Sequence, residues 1–176
     1  NVLLTAYDQL YCDDIVLPTG NLREPKSGAK RAQVIVVTKC PDHLSDLEKT
    51  AITRRLNLES NQVVFFSSIH YSETLKSSTS SSALADLRGT HFTLVTGIAN
   101  PTPLVSYLKE MGLDFEHLNY KDHHEFSKSE LELIHSKSLV VTTEKDFSRL
   151  HTESQNQIYY LPIQLKIDNA SEFDRL

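Results

Sequence analysis

Apolar positions fall into two alternating textures along this chain: short β-branched runs, and segments with helical spacing. Asn1 to Ala6 predicts a buried strand. Gln33-Val34-Ile35-Val36-Val37 is apolar on both faces, as a central parallel strand requires. Ser45 with Glu48 three residues later is a capping-box signal, and Leu47, Ala51, Ile52 and Leu56 recur behind it at helical spacing. Val63-Val64-Phe65-Phe66 predicts the next strand. Strand, helix and strand form a βαβ unit, for which right-handed parallel crossover is the default.

A second series follows a change of texture. Ser67 to Glu73 alternates apolar and polar residues, and the serine-rich run from Lys76 to Ser82 reads as a flexible connector near a domain boundary. Strands are then predicted at Phe92 to Val95, Phe115 to Leu118 and Ser138 to Val141. Between them, Thr102 can cap a helix that starts at Pro103, buries Leu104, Tyr107, Leu108 and Met111, and ends at Gly112. Ser127 with Glu130 caps another, with Leu131, Ile134 and Leu133 inward. Thr143 to Asp146 is a similar cap for a short helix carrying Phe147 and Leu150. Ile158 to Ile167 is a long apolar strand interrupted by Pro162, which suggests an edge strand or a two-stranded linker paired with Ser67 to Tyr71.

Composition narrows the class. The 176 residues carry a formal net charge of −5, which argues against nucleic acid as a partner. Cys12 and Cys40 have no paired spacing and point to a reducing compartment. No apolar run approaches the ~20 residues that cross a bilayer, so these residues are expected to be soluble. The chain opens at Asn1, inside an apolar run and without an initiator Met, as expected of a fragment.

In open α/β sheets, ligands bind beyond the carboxyl ends of the strands. Four polar clusters are predicted there: Thr38-Lys39, Thr96 to Asn100, Asp122-His123-His124, and Thr142 to Asp146. The last three share one edge if their strands are parallel. Helix N-termini at such an edge suit phosphates, and the same residues also serve as ordinary caps. Asp122-His123-His124-Glu125-Phe126 admits three readings: a metal site, acid–base catalysis, or a polar turn. Metal-binding His pairs on a helix sit three or four residues apart, and adjacent residues do not face one another. His43, His70, His91, His117, His135 and His151 add no supporting spacing. A single His oriented by a carboxylate is the more economical reading, and the residues alone do not say which His. No GxxxxGK[ST] loop is present, so a complete nucleotide hydrolase or kinase of that class is excluded from these residues alone.

Five stretches, in order, resemble the C-terminal half of the tetraacyldisaccharide 4′-kinase (lipid A 4′-kinase) family. They are Leu17-Pro18-Thr19-Gly20-Asn21-Leu22-Arg23-Glu24-Pro25, Ala32 to Lys39, Thr96-Gly97-Ile98-Ala99-Asn100-Pro101, Asp122 to Phe126, and Thr142-Thr143-Glu144-Lys145-Asp146. The resemblance implies an α/β fold: part of a P-loop (RecA-like) kinase core at 1–67, a small α/β/α lid at 68–166 that includes a two-stranded linker, and a return segment at 167–176. It implies transfer of the ATP γ-phosphoryl group to the 4′-hydroxyl of an acylated disaccharide 1-phosphate, with ATP and Mg²⁺ as cofactors. The expected place is the cytoplasmic face of the bacterial inner membrane, bound peripherally through an upstream segment. By the same resemblance His123, with Asp122 before it, activates the acceptor hydroxyl together with a core carboxylate. Glu24 lies near Mg²⁺ and the phosphates, as a metal ligand, with Arg23 beside it. Asn21, Gly97, Asn100, Thr143 and Lys145 line the substrate or nucleotide edge. The family's P-loop, the carboxylate partner and an acidic metal motif lie upstream of Asn1, so the polypeptide alone is expected not to phosphorylate the lipid. The alternative is a non-enzymatic α/β module that binds a phosphate or nucleotide.

Overall fold

The computed structural model describes residues 1–150 and 157–176; His151 lies outside them. In chain order the elements are β1 (Val2–Ala6), β2 (Val34–Cys40), α1 (Asp46–Leu56), β3 (Val63–Tyr71), β4 (Thr74–Lys76), β5 (Ser81–Ala83), β6 (Phe92–Thr96), α2 (Thr102–Glu110), β7 (Phe115–Asn119), α3 (Lys128–His135), β8 (Leu139–Thr143), α4 (Glu144–Leu150), β9 (Gln157–Leu161), β10 (Ile163–Ile167) and α5 (Ala170–Phe173). The chain divides into two compact units, Asn1–His70 with Gln164–Leu176, and Tyr71–Ile163.

The first unit is built on a four-stranded sheet in the order β1-β2-β3-β10. β2 pairs in parallel with β1 (Val2↔Val34) and with β3 (Val34↔Val63), so its β-branched run is central. Ile35 and Val37 face Leu10, Ile52, Leu56 and Phe66 on one side, while Val34, Val36 and Phe65 meet Ile167 and Phe173 on the other. Ile35 is fully buried, a burial that contributes roughly 1.5–3 kcal/mol. α1 carries the expected capping box at Ser45 and Glu48. Its inward face is narrower than the spacing suggests: Ile52 and Leu56 are buried, whereas Leu47 is 84% exposed and Ala51 is exposed. β1 is likewise not the buried strand expected. It is an edge strand, and Val2 and Leu4 are 56% and 65% exposed. β2 runs on through Thr38 and Lys39 to Cys40 by way of a bulge, with Lys39 in the left-handed region at φ 58°.

The second unit holds a six-stranded sheet in the order β5-β4-β9-β8-β6-β7. β9, β8, β6 and β7 are parallel, and β4 is antiparallel to β9 and β5. Leu104 and Leu108 of α2 pack with Leu94 and Val141 on one face. Ile134 of α3 and Leu150 of α4 pack with Val95, Val140 and Ile158 on the other. The serine run is not a connector between domains. Ser77 to Ser80 form the turn of the β4–β5 hairpin, where Ser77 N–H donates to the Ser80 carbonyl (2.8 Å) and Ser77 Oγ accepts from Ser80 N–H (3.0 Å). α2 starts at Thr102, not Pro103, with Pro101 at the N-cap position and no side-chain cap there; just before it, Asn100 Oδ1 accepts the Thr102 N–H (3.1 Å). Leu133 points outward at 48% exposure, because Ile134 already fills the inward position of α3. The long strand expected at Ile158 to Ile167 is two strands, separated at Pro162. Of these, β9 lies inside the second sheet between β4 and β8, while β10 is an edge strand beside β3, as expected for the linker.

Candidate functional site

The carboxyl ends of β6, β7 and β8 are level, with Thr96 opposite Asn119 and Val95 opposite Thr142. Three of the four polar clusters therefore meet on one edge of the second unit. Gly97 follows β6. Its φ is not positive, so its lack of a side chain serves space: a Cβ there would sit 3.1 Å from Asp146 Oδ1. Asp146 is buried, and its Oδ2 accepts the Gly97 N–H (2.8 Å) and the Thr143 hydroxyl (2.7 Å). Thr143 Oγ accepts in turn from Asp146 N–H (3.1 Å), which makes the expected cap of α4.

The Asp122–His123 turn lies beside this cluster. Asp122 Oδ1 accepts both the Lys145 ammonium (2.8 Å) and the His123 N–H (3.0 Å). The Lys145 hydrogen bond is the main reason that the Asp122 carboxyl is held below its ordinary range, and the nearby His123 adds to it. His123 itself adopts φ 58°, a left-handed backbone that is uncommon outside Gly. That turn presents its ring to solvent at 79% side-chain exposure. Nε2 is 3.8 Å from Asp122 Oδ2, too long for a hydrogen bond. A ring presented in this way can take a proton from an approaching hydroxyl.

His124 is built in. Its Nε2 lies 3.1 Å from both carboxylate oxygens of Glu130, and its ring stacks on Tyr120 at 4.8 Å. Glu130 also completes the capping box of α3 with Ser127. The Ser127 backbone and side-chain hydrogen bonds, then the one from His124, hold the Glu130 carboxyl down at about 2 against an ordinary 4.5. Since the folded value is the lower one, Glu130 stabilises the unit fully above its unfolded value and loses that contribution as pH falls toward 2. Thermal unfolding followed between about pH 5 and pH 2.5 is expected to show this acid limb, reduced in Glu130→Gln. An unchanged limb in the variant would remove Glu130 from the account.

Asn21, Arg23 and Glu24 lie in the first unit, on an irregular segment that Asp14 organises. Asp14 Oδ1 accepts the N–H groups of Ile15 (2.8 Å) and Asn21 (3.2 Å), and these bonds lower its carboxyl. Leu17 N–H reaches the Leu22 carbonyl (2.9 Å), and Leu22 N–H reaches that of Ile15 (3.0 Å). Gly20 closes the loop: a Cβ would lie 2.2 Å from the Ile15 carbonyl oxygen and 2.5 Å from Asp14 Oδ1. Gly20→Ala is expected to cost about 1–3 kcal/mol, read from urea unfolding; a loss below about 0.5 kcal/mol would mean that the loop yields. Arg23 is exposed. Both oxygens of Glu24 face Arg31 Nη2 at 2.6 Å. Among the described residues no group of three or more His, Cys, Asp or Glu could hold a metal ion. With Glu24 turned to Arg31, these residues do not by themselves make a magnesium site.

The sequence pattern names Asp146 only as part of the Thr143–Asp146 cap and motif, not as a buried tie to Gly97, and it does not point to Asp14 or Arg149 at all. The pointer to Asp146 was Gly97, a glycine whose purpose is proximity; the pointer to Asp14 was its place just before the Pro18-Thr19-Gly20-Asn21 turn.

The LpxK family profile, tetraacyldisaccharide-1-P 4′-kinase, matches residues 1–176. The tetraacyldisaccharide 4′-kinase of Flavobacterium johnsoniae is 42% identical over 98% of this chain and 52% of its own length. That of Bacteroides thetaiotaomicron is 37% identical over 95% of this chain and 50% of its own. A crystal structure of LpxK from Aquifex aeolicus, an "apo" form in complex with ATP, superposes with a TM-score of 0.66 at 19% identity. It covers 99% of this chain and 50% of that one, and at that identity the likeness supports the fold. The chain thus spans about half the length of the curated relatives it matches. A profile match along every residue, together with relatives of this identity, means that the chain belongs to the tetraacyldisaccharide-1-P 4′-kinase family.

Proposed function

We propose that these residues form one half of an ATP-dependent kinase that phosphorylates the 4′-hydroxyl of a tetraacyldisaccharide 1-phosphate in lipid A synthesis. The first unit corresponds to part of the P-loop core and the second to the lid, with β3 and β10 as the two connecting strands. The observation that carries the reading is the Asp122–Lys145 pair, which fixes the turn that exposes His123 at the carboxyl edge of the lid sheet.

In this reading His123 accepts the proton of the attacking hydroxyl, supported by a carboxylate from the other half of the enzyme. Asp122, paired with Lys145, holds the turn that carries His123. Lys145, Gly97, Asn100 and Thr143 border the edge where substrate or nucleotide lies. Asn21 and Arg23 belong to the core's phosphate side. Such a reaction depends on positioning and charge stabilisation more than on covalent chemistry. Mg²⁺ would neutralise phosphate charge in the whole enzyme. Glu24 would join its shell once released from Arg31. The enzyme acts peripherally at the cytoplasmic face of the inner membrane; among the described residues no helix is long and apolar enough to cross a membrane.

The experiment is transfer of radiolabelled γ-phosphate from ATP to the acylated disaccharide by the full-length protein. Label on the lipid supports the reading, and nucleotide binding without transfer would favour a module without catalysis.

A further inference from the structure

Two side chains at this edge have no part in the proposed proton transfer, Asp146 and Arg149, yet together they connect its three loops. Asp146 is fully buried. Its Oδ2 is committed to Gly97 N–H after β6 and to the Thr143 hydroxyl at the end of β8. Its Oδ1 faces Arg149 Nη2, one helical turn along α4. Arg149 Nη1 in turn donates to the His124 carbonyl (2.9 Å) in the loop after β7, and the guanidinium lies 6.0 Å from the centroid of the Phe126 ring. A carboxylate is tolerated in the interior only when it is paired and hydrogen-bonded. Here its partners are the backbone of one loop and, through one arginine, the backbone of another. The planar fork of Arg can engage a carboxylate and a carbonyl at the same time, which a lysine ammonium does less well.

We infer that the Asp146–Arg149 pair is a positioning device for the reaction: it sets the His123 turn against the Gly97 turn by holding the carbonyl of His123's neighbour. The inference rests on the proposed role of His123. Neither side chain touches the reacting atoms, so both are positioning residues.

The test is a double-mutant cycle in the full-length kinase, with kcat and KM measured for the parent, Arg149→Ala, His123→Ala and the double variant, and with thermal unfolding of each recorded alongside. Arg149→Ala is expected to lower kcat on the order of tenfold to a hundredfold, with KM for ATP little changed. That loss should vanish in the His123→Ala background, because no base remains to be positioned. Arg149→Lys should recover part of kcat, since it keeps the charge opposite Asp146 without the fork. Equal losses in both backgrounds would overturn the inference, as would a loss accounted for by the unfolded fraction at the assay temperature. Unchanged turnover in His123→Ala alone is a different outcome: it removes the site reading, and the positioning role with it.

Discussion

On the proposed role of His123, His123→Ala in the full-length protein is expected to lower kcat for lipid phosphorylation by about 10²–10⁴-fold, the usual contribution of a positioned acid–base group, while KM for ATP changes little. The ring stands in solvent, so its removal breaks no packing and leaves the folded fraction intact. The backbone there is left-handed for His and Ala alike. His123→Asn, which tolerates that conformation better, separates any backbone cost from the loss of the base. His124→Ala is the matched control. That ring joins Tyr120 to the Glu130 cap, so its loss should lower the melting temperature and leave turnover per folded molecule nearly unchanged. Full activity in His123→Ala, or a larger fall in turnover for His124→Ala, would sink the assignment.

Asp146→Ala should be the most damaging single change in the second unit, costing about 3 kcal/mol or more. It strips the Gly97 N–H and the Thr143 hydroxyl of their acceptor and leaves Arg149 without its counter-charge. Asp146→Asn should fall between: its amide oxygen can still accept from Gly97, but the charge opposite Arg149 is gone. Urea unfolding of the three proteins measures the order directly. A loss below about 1 kcal/mol in Asp146→Ala would show that water replaces the carboxylate at little cost.

The regular elements were legible wherever one local signal decides them. The β-branched run Val34 to Val37 could only be a central strand, and the Ser45–Glu48 and Ser127–Glu130 boxes announced α1 and α3. Misreadings arose where a tertiary neighbour decides. Leu47 fits the helical period yet faces out, since Ile52 and Leu56 already cover the sheet. Ile158 to Ile167 reads as one strand, but it divides at Pro162 into β9, inside one sheet, and β10, at the edge of the other. Thr102 looks like a cap, but the helix already begins at it, with Pro101 in the cap position. In the site, the level edge of Gly97, Asp122 and Thr143 followed from parallel strands. Asp146 did not, because an acid in the first turn of a helix ordinarily lies in solvent, and its burial depends on a glycine 49 residues away.

The interruption of the first unit by the second bears on how the protein is made. β10 is synthesised only after the whole of Tyr71–Ile163, and translation proceeds at about 5–20 residues per second. For some seconds, therefore, the outer edge of β3 waits on the ribosome with its N–H and C=O groups unclaimed, the state in which a strand most readily joins the wrong neighbour. The inserted unit can start its own sheet meanwhile, since β4 to β8 emerge well before β10, whereas β9, which joins β4 to β8, ends two residues before β10 begins. Birth order thus leaves the first sheet to be closed last, by β10.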